Sequence, residues 1–193
     1  MDESVVREKL SYYLQNGKLV GDVEAMITEM KPWYDNYCFA RTSLDNDRVF
    51  NCDMTLYYLR NQIDFHSPPE NMEDKNIRTD YSKLKMLARI DHDNTHEGSR
   101  MSTIEEIAAK GEILVDLHTS FPSEKIADIE NFRSLLYYYG LLTMCGTRGD
   151  RLKMCIPNNC VREQYLGFLR DYYLQAHTLN LSHLKDVIDD FAF

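Results

Sequence analysis

The sequence contains no hydrophobic run long enough to cross a membrane. Its longest apolar stretch, residues 135–145, has 11 residues and includes Gly140, whereas a membrane-spanning helix needs about 20 residues. Residues 1–4 are acidic rather than basic, unlike the start of a secretory signal peptide. These absences predict a cytoplasmic protein with no membrane partner.

The sequence lacks both a disulfide-type cysteine pattern and an excess of positive charge. The chain has five cysteines in 193 residues, none spaced as C-x-x-C, and this odd number fits reduced thiols better than a disulfide framework. There are 22 Lys and Arg against 31 Asp and Glu, for a net charge of −9. This balance argues against a protein whose whole surface coats nucleic acid, although it permits a local basic patch.

Motifs with a known chemistry are missing as well. No G-x-x-x-x-G-K-[ST] loop is present to bind nucleotide phosphates, and residues 146–149 are interpreted as the tip of a hairpin. Residues 91–96 carry two Asp and two His in a polar loop, and residues 73–75 spell Glu-x-Lys without the strands that a nuclease needs. Residues 82–85 spell S-x-x-K without its companion motifs. We therefore predict no catalytic residue, no metal site and no cofactor bound by this chain.

The chain is predicted to be α+β and mostly helical. Helical spacing of apolar residues covers residues 6–14 and ends at Asn16-Gly17. A second helix is expected over residues 23–30, because Pro32 restricts the residue before it. Two short strands, around residues 33–39 and 49–50, are expected to follow.

Two aspartates are predicted to cap later helices in this half. Asp53 precedes one helical pattern, and Asp80 precedes another that carries residues 84–90. Residues 91–100 are polar and are interpreted as a surface loop. We place a boundary there, between a helical lid-like subdomain with a short hairpin (residues 1–94) and a winged-helix-like subdomain with C-terminal helices (residues 95–193).

The second half of the sequence has clearer signals of secondary structure. Residues 102–105 spell a capping box that opens a helix ending at Gly111, and a strand is expected over residues 112–117. A helix over residues 131–139 stops at Gly140, and strands at 141–145 and 152–156 flank a turn. Asn158 is expected to cap a long amphipathic helix, and a final helix follows Thr178. This order of helix, strand, helix, hairpin and helix is expected of a winged-helix module.

Three cations fall on the predicted wing of this module. Arg148, Arg151 and Lys153 occupy the hairpin, where a DNA-binding winged helix contacts phosphates. An ordinary hairpin with solvated charges explains the same residues. Because phosphate-driven affinity grows with the number of neutralised phosphates, three cations make a weak footprint. DNA binding therefore stays an alternative interpretation.

Four stretches of the sequence together resemble the C-terminal half of the bacterial AAA-ATPase-like family. They are residues 33–39 (WYDNYCF), 49–59 (VFNCDMTLYYL), 76–81 (NIRTDY), and 131–143 with 152–158 (NFRSLLYYYGLLT and LKMCIPN). The resemblance runs from the first helix to about residue 175. Its individual motif residues are Trp33, Tyr34, Tyr37, Phe39, Asn51, Asn76, Arg78, Asp80, Tyr81, Pro157 and Asn158. The chain departs from the family at Asn36, where glycine is usual, and at Cys52, where proline is common.

The resemblance implies a role without catalysis in this chain. In that family a P-loop ATPase core precedes the matching part, and a PD-(D/E)XK nuclease-like domain often follows it. The implied partners are thus the ATPase core and a nuclease-like domain of the same parent chain, and ATP with Mg²⁺ would bind only to that core. Arg78 is expected to reach toward the nucleotide in an intact protein. A regulatory and interaction portion of an AAA-type ATPase is the predicted function.

Overall fold

The computed structural model describes residues 1–46, 48–74, 84–88, 100–120 and 128–177. These residues form an α+β, mostly helical structure with one small antiparallel sheet. The helices are α1 (Glu3–Gln15), α2 (Val23–Tyr34), α3 (Cys52–Phe65), α4 (Arg100–Lys110), α5 (Ile129–Tyr138) and α6 (Asn159–His177), with a 3-10 turn at Arg41–Ser43. The strands are β1 (Glu112–Val115), β2 (Thr143–Arg148) and β3 (Arg151–Cys155). Residues 84–88 are also helical.

The first helix ends where its sequence predicts and begins at Glu3. The carboxylate of Asp2 accepts a hydrogen bond of 2.9 Å from the backbone N–H of Val5, and Asn16 ends α1. Asp22 caps α2 in the same way, through the N–H of Ala25 at 3.0 Å. Such side-chain acceptors satisfy N–H groups that have no partner inside the helix.

The second helix is longer than predicted. It continues through Pro32 to Tyr34, so the expectation that it ends before the proline is wrong. Pro32 removes one backbone hydrogen bond from the last turn of this helix. Met30 and Tyr34 are both fully buried, and continuing the helix places Tyr34 in the core.

Asn51, rather than Asp53, caps α3. The side-chain oxygen of Asn51 accepts hydrogen bonds from the N–H groups of Asp53 (3.0 Å) and Met54 (3.2 Å). Asp53 instead lies in the first helical turn, where its negative charge interacts favourably with the positive end of the helix dipole. The two strands expected nearby are reduced to a single antiparallel bridge between Tyr37 and Val49.

The sheet is built around a tight hairpin. Its strand order is β1-β3-β2, with both pairings antiparallel. Arg148 pairs with Arg151, so the turn consists of Gly149 and Asp150, and residues 146–148 belong to β2. The interpretation of residues 146–149 as the hairpin tip is therefore corrected. Cys145 lies at an irregularity between Met144 and Gly146, where β2 has one residue more than its partner.

The remaining helices agree with the sequence in most respects. Gly140, with a φ of 73°, follows α5 as predicted. Asn158 accepts a hydrogen bond of 3.2 Å from the N–H of Val161 and so caps α6. However, α4 begins at Arg100, two residues before the expected capping box, and Arg100 is only 2% exposed, which contradicts its assignment to a surface loop. Asp80 and the expected helix after Thr178 lie outside the described residues.

Two hydrophobic cores organise the structure. The larger core lies among residues 84–88, α4, α5, α6 and the sheet, and the smaller core lies among α1, α2 and α3. The two cores exchange residues. Cys38, which follows α2, belongs to the larger core, and Cys160 of α6 belongs to the smaller core. Helix α6 packs against both α2 and α4. The subdomain boundary near residue 94 stays a prediction.

Across the described part of the chain, no helix combines the length and apolar character that a membrane span requires.

Candidate functional site

The motif stretch at residues 33–39 occupies the junction between the two cores. Tyr34 and Tyr37 are buried, Trp33 is partly buried and Phe39 is exposed. The hydroxyl of Tyr34 donates a 2.7 Å hydrogen bond to the carbonyl of Met72, which attaches the loop after α3 to the smaller core. We call residues 33–39 the junction segment.

The junction segment is joined to the sheet through Cys38. The N–H of Cys38 donates to the hydroxyl of Thr143 at 2.6 Å, and that hydroxyl lies 3.2 Å from the Cys38 carbonyl, to which it donates. The N–H of Met144 also donates to this carbonyl at 3.3 Å. The hydroxyl of Tyr137 donates to the carbonyl of Phe39 at 2.8 Å. These bonds connect the junction segment to β2 and α5.

Two asparagines join the same segment to the start of α6. The amide of Asn36 donates to the Pro157 carbonyl at 2.8 Å, and the amide of Asn158 donates to the Asp35 carbonyl at 3.1 Å. Asn51 donates its backbone N–H to the Tyr34 carbonyl at 2.7 Å. The motif residues Trp33, Tyr34, Tyr37, Phe39, Asn51, Pro157 and Asn158 are thus brought together. Asn76, Arg78, Asp80 and Tyr81 lie outside the described residues.

A small polar cavity lies between these motif residues. Its volume is about 50 Å³, and Trp33, Tyr37, Asn51 and Asn158 contribute to its wall. Gln164 on α6 also lines the cavity, and its buried side-chain oxygen has no hydrogen-bond partner among the described residues. A polar cavity of this size accommodates about one or two water molecules. It is far too small for a nucleotide.

The cations of the predicted wing are only partly available to bind phosphate groups. Arg151 lies 3.2 Å from the Asp116 carboxylate and also donates to the Leu114 carbonyl at 3.3 Å. Lys153 lies 2.6 Å from the carboxylate of Glu112, and this contact raises the pKa of Lys153. Arg148 is exposed at the end of β2. The sequence analysis did not identify these acidic partners, because the register of β1 against β3 brings them beside the hairpin.

Asp35, within the motif stretch at residues 33–39, carries a partly buried carboxylate. One of its oxygens is buried without a hydrogen-bond partner among the described residues. Burial raises the pKa of this carboxyl group. It borders an open polar groove with Arg7, Lys31 and Arg48, but Arg7 and Lys31 already pair with Glu3, at 2.7 Å and 2.6 Å.

No metal site is formed by the residues that the structure describes. Among them, no three His, Cys, Asp or Glu side chains are close enough to share an ion. Glu73 accepts a hydrogen bond of 3.3 Å from Gln164, which ties it to α6. The Asp and His cluster of residues 91–96 and the S-x-x-K serine at position 82 lie outside the described residues.

Exposed aromatic side chains lie at the C-terminal end of the junction segment. Phe39 stacks on Tyr37 with a centroid distance of 5.6 Å and lies 6.4 Å from the ring of Tyr137. Tyr138 continues the series at 5.2 Å from Tyr137. Phe39 is 56% exposed and Tyr138 is 48% exposed. We call Phe39 and Tyr138 the aromatic surface, and exposed aromatics of this kind are enriched at protein interfaces.

Comparison of the sequence with protein-family models gives no match, and neither does comparison with curated proteins or with solved structures.

Proposed function

We propose that this chain is a non-catalytic regulatory and interaction portion of an AAA-type ATPase, with a lid-like part before residue 94 and a winged-helix-like part after it. The observation that carries this proposal is the placement of the motif residues. Those within the described ranges line one packed junction, joined by backbone and amide hydrogen bonds. They surround a cavity of about 50 Å³ rather than a substrate cleft.

A junction of this type suits a chain that responds to the nucleotide state of an ATPase core. The junction segment contacts α5, β2 and the start of α6, so a force applied to one core acts on the other. The aromatic surface lies at the end of this segment. In the proposal, Phe39 and Tyr138 contact the ATPase core, and ATP with Mg²⁺ binds to that core alone. The chain acts in the bacterial cytoplasm, where a nuclease-like domain of the same parent is a further partner.

The size of the native polypeptide tests this proposal most directly. An antibody to this segment is expected to detect, in the source cell, a protein well above 22.7 kDa. The isolated chain is expected to show neither ATP turnover nor saturable binding of a fluorescent ATP analogue. A native band at 22.7 kDa, or turnover that persists through repeated purification, would overturn the proposal.

A nucleic-acid-binding winged helix is the second candidate. The order of helix, strand, helix, hairpin and helix favours it, and so does exposed Arg148 on the hairpin. The pairing of Arg151 with Asp116 and of Lys153 with Glu112 weakens it, because these cations must leave a carboxylate to reach a phosphate. It predicts binding of duplex DNA that decreases steeply with salt and is lost on replacing all three cations by alanine. Absence of binding at low salt would exclude it.

A further inference from the structure

The hairpin carries two cysteines that neither the motifs nor the proposed function uses. Cys145 lies on β2 and Cys155 on β3, and both are free and partly exposed. Cys155 pairs with Thr143 across the hairpin, and Cys145 lies two residues after Thr143 on β2. Residues two apart on a strand project from the same face. Met144 and Met154, between these positions, are buried in the core, which leaves both cysteines on the opposite face of the hairpin.

The irregularity in β2 falls at Cys145 itself. Cys145 is the extra residue between the pairs Met144–Met154 and Gly146–Lys153. Its thiol donates to the Lys153 carbonyl at 3.4 Å, so its sulfur lies over β3. The Cys145 and Cys155 side chains are near enough for each thiol to shift the pKa of the other.

Two cationic residues lie near Cys145. Arg48 donates a 2.9 Å hydrogen bond to the carbonyl of Met144, the residue before Cys145, and Lys153 lies across from the irregularity. Hydrogen bonding with Cys155, together with the charges of Lys153 and Arg48, lowers the pKa of Cys145, whereas burial and the Glu112 carboxylate oppose this. The same contact raises the pKa of Cys155. Of the two thiols, Cys145 is thus the one that ionises more readily.

We propose that Cys145 and Cys155 form a peroxide-reactive dithiol, in which Cys145 is oxidised first and Cys155 then closes a disulfide across the hairpin. The Cys145 sulfur attacks one oxygen of hydrogen peroxide, the O–O bond breaks, and the departing oxygen takes up a proton and leaves as water. The sulfur becomes a sulfenic acid. The Cys155 sulfur then attacks it, the S–O bond breaks, and a second water leaves with the Cys155 proton. Overall, two thiols and one peroxide give one disulfide and two waters.

The other described cysteines supply internal controls. Cys52 is exposed, and its sulfur accepts a hydrogen bond of 3.6 Å from the Met1 ammonium group. Cys160 is 5% exposed, and burial raises its pKa to about 12. If exposure alone determined reactivity, Cys52 would be oxidised first. If Cys145 and Cys155 act as a dithiol, these two cysteines are oxidised first.

The test is peptide mapping of the full chain after one equivalent of hydrogen peroxide. Trypsin releases Cys145 in residues 134–148 and Cys155 in residues 154–162, which also contain Cys160. We expect these two peptides to be joined by a disulfide that fragmentation assigns to Cys155. We also expect Cys145 in the untreated protein to react with iodoacetamide at least about 10-fold faster than Cys52 at neutral pH. A link through Cys52 or Cys160, or equal alkylation of Cys145 and Cys52, would overturn the proposal.

Three variants separate the roles of the two sulfurs. Cys155→Ala is expected to leave a Cys145 sulfenic acid that dimedone traps, with no disulfide. Cys145→Ser is expected to leave Cys155 reduced, because the slower thiol cannot start the reaction. Cys52→Ser should behave as the wild type. Oxidation of Cys155 at an unchanged rate in Cys145→Ser would contradict the proposed order, and circular dichroism of each variant establishes that it is folded.

Discussion

Asn36 and Asn158 each donate a side-chain hydrogen bond to the backbone beside the other. Asn36 reaches the Pro157 carbonyl at 2.8 Å, and Asn158 reaches the Asp35 carbonyl at 3.1 Å. The oxygen of Asn158 also accepts from Val161 and caps α6. One amide therefore starts a helix and fastens it to the junction segment, which couples the position of α6 to the segment between α2 and α3.

The first prediction concerns the backbone at Asn36. Its φ is 82°, a conformation that alanine adopts at a cost and glycine adopts freely. Asn36→Ala loses the bond to Pro157 and adds strain, so we expect it to lower the free energy of unfolding by about 2 kcal/mol. Asn36→Gly loses only the bond, and we expect a loss of about 1 kcal/mol. Urea denaturation measures both.

Asn46 provides the control for this comparison. It is exposed, lacks a positive φ and bonds only locally to the Thr42 carbonyl. We expect Asn46→Ala to change stability by no more than about 0.5 kcal/mol. If Asn36→Gly proves as destabilising as Asn36→Ala, the conformational argument is wrong and the amide contact accounts for the whole effect.

Helix ends were predictable where a single local residue determines them. Gly140 follows α5 because it adopts a left-handed conformation, and Asn158 caps α6 with its own side chain. Pro32 misled the prediction because its local restriction is outweighed by the burial of Tyr34 two residues later. Burial of that kind depends on α3 and α6, which local sequence rules do not include.

The candidate sites were less predictable, because pairing across the sheet determines them. The hairpin cations were visible in the sequence, but their carboxylate partners on β1 depend on the register between β1 and β3. The position of Cys145 on the hairpin depends on the irregular pairing of β2 with β3. The sequence places Cys145 and Cys155 ten residues apart without a recognised motif.

The second prediction concerns the buried Arg100. It donates a 2.6 Å hydrogen bond to the Leu87 carbonyl, and its guanidinium lies 5.2 Å from the centroid of the Phe132 ring. Arg100→Ala removes this bond and the packing of the side-chain stem, so we expect a loss of about 3 kcal/mol in unfolding free energy. Arg100→Met restores most of the packing without the bond, and a loss of about 1 to 2 kcal/mol is expected.

Arg60 on α3 is the matched control for this pair. Its side chain is 84% exposed, so Arg60→Ala should change stability by less than about 0.5 kcal/mol. Urea denaturation of the three variants under one condition gives the comparison. Equal stability of Arg100→Ala and the wild type would show that the buried guanidinium contributes no net stabilisation.

The third prediction concerns the carboxylates that hold the wing cations. Glu112→Gln together with Asp116→Asn releases Lys153 and Arg151 from their ion pairs. If the hairpin faces DNA as in the second candidate function, the double variant should bind duplex DNA more tightly than the wild type. Two added phosphate contacts should steepen the slope of log affinity against log salt by about 2. Fluorescence anisotropy with a labelled duplex at several salt concentrations measures both quantities.

A second double variant separates the hairpin from the overall charge. Glu8 and Asp53 are exposed on α1 and α3, in the part of the chain before the sheet. Glu8→Gln together with Asp53→Asn makes the same change in net charge. An equal gain in DNA affinity from this control would assign the effect to net charge and count against a specific role for the hairpin.

The fourth prediction is a loss of stability in alkaline solution caused by Cys160. Burial raises the pKa of its thiol from 9.0 to about 12, so the folded protein keeps a proton that the unfolded chain releases. The stabilisation is fully present below the unfolded pKa and is lost as pH rises from about 9 toward about 12. Between about pH 8 and about pH 10, this thiol should cost about 1.4 kcal/mol of unfolding free energy.

Comparison of two alanine variants isolates this contribution. Cys160→Ala should lose less stability than the wild type over the same pH interval, by about 1.4 kcal/mol. Cys52→Ala should behave as the wild type, because Cys52 is exposed. The buried tyrosines Tyr34 and Tyr58 also have raised pKa values, and Cys160 contributes to that of Tyr34. The comparison is therefore confined to pH values below about 10, before tyrosine ionises in the unfolded chain. An identical pH dependence in Cys160→Ala and the wild type would show that α6 opens often enough for water to reach this thiol.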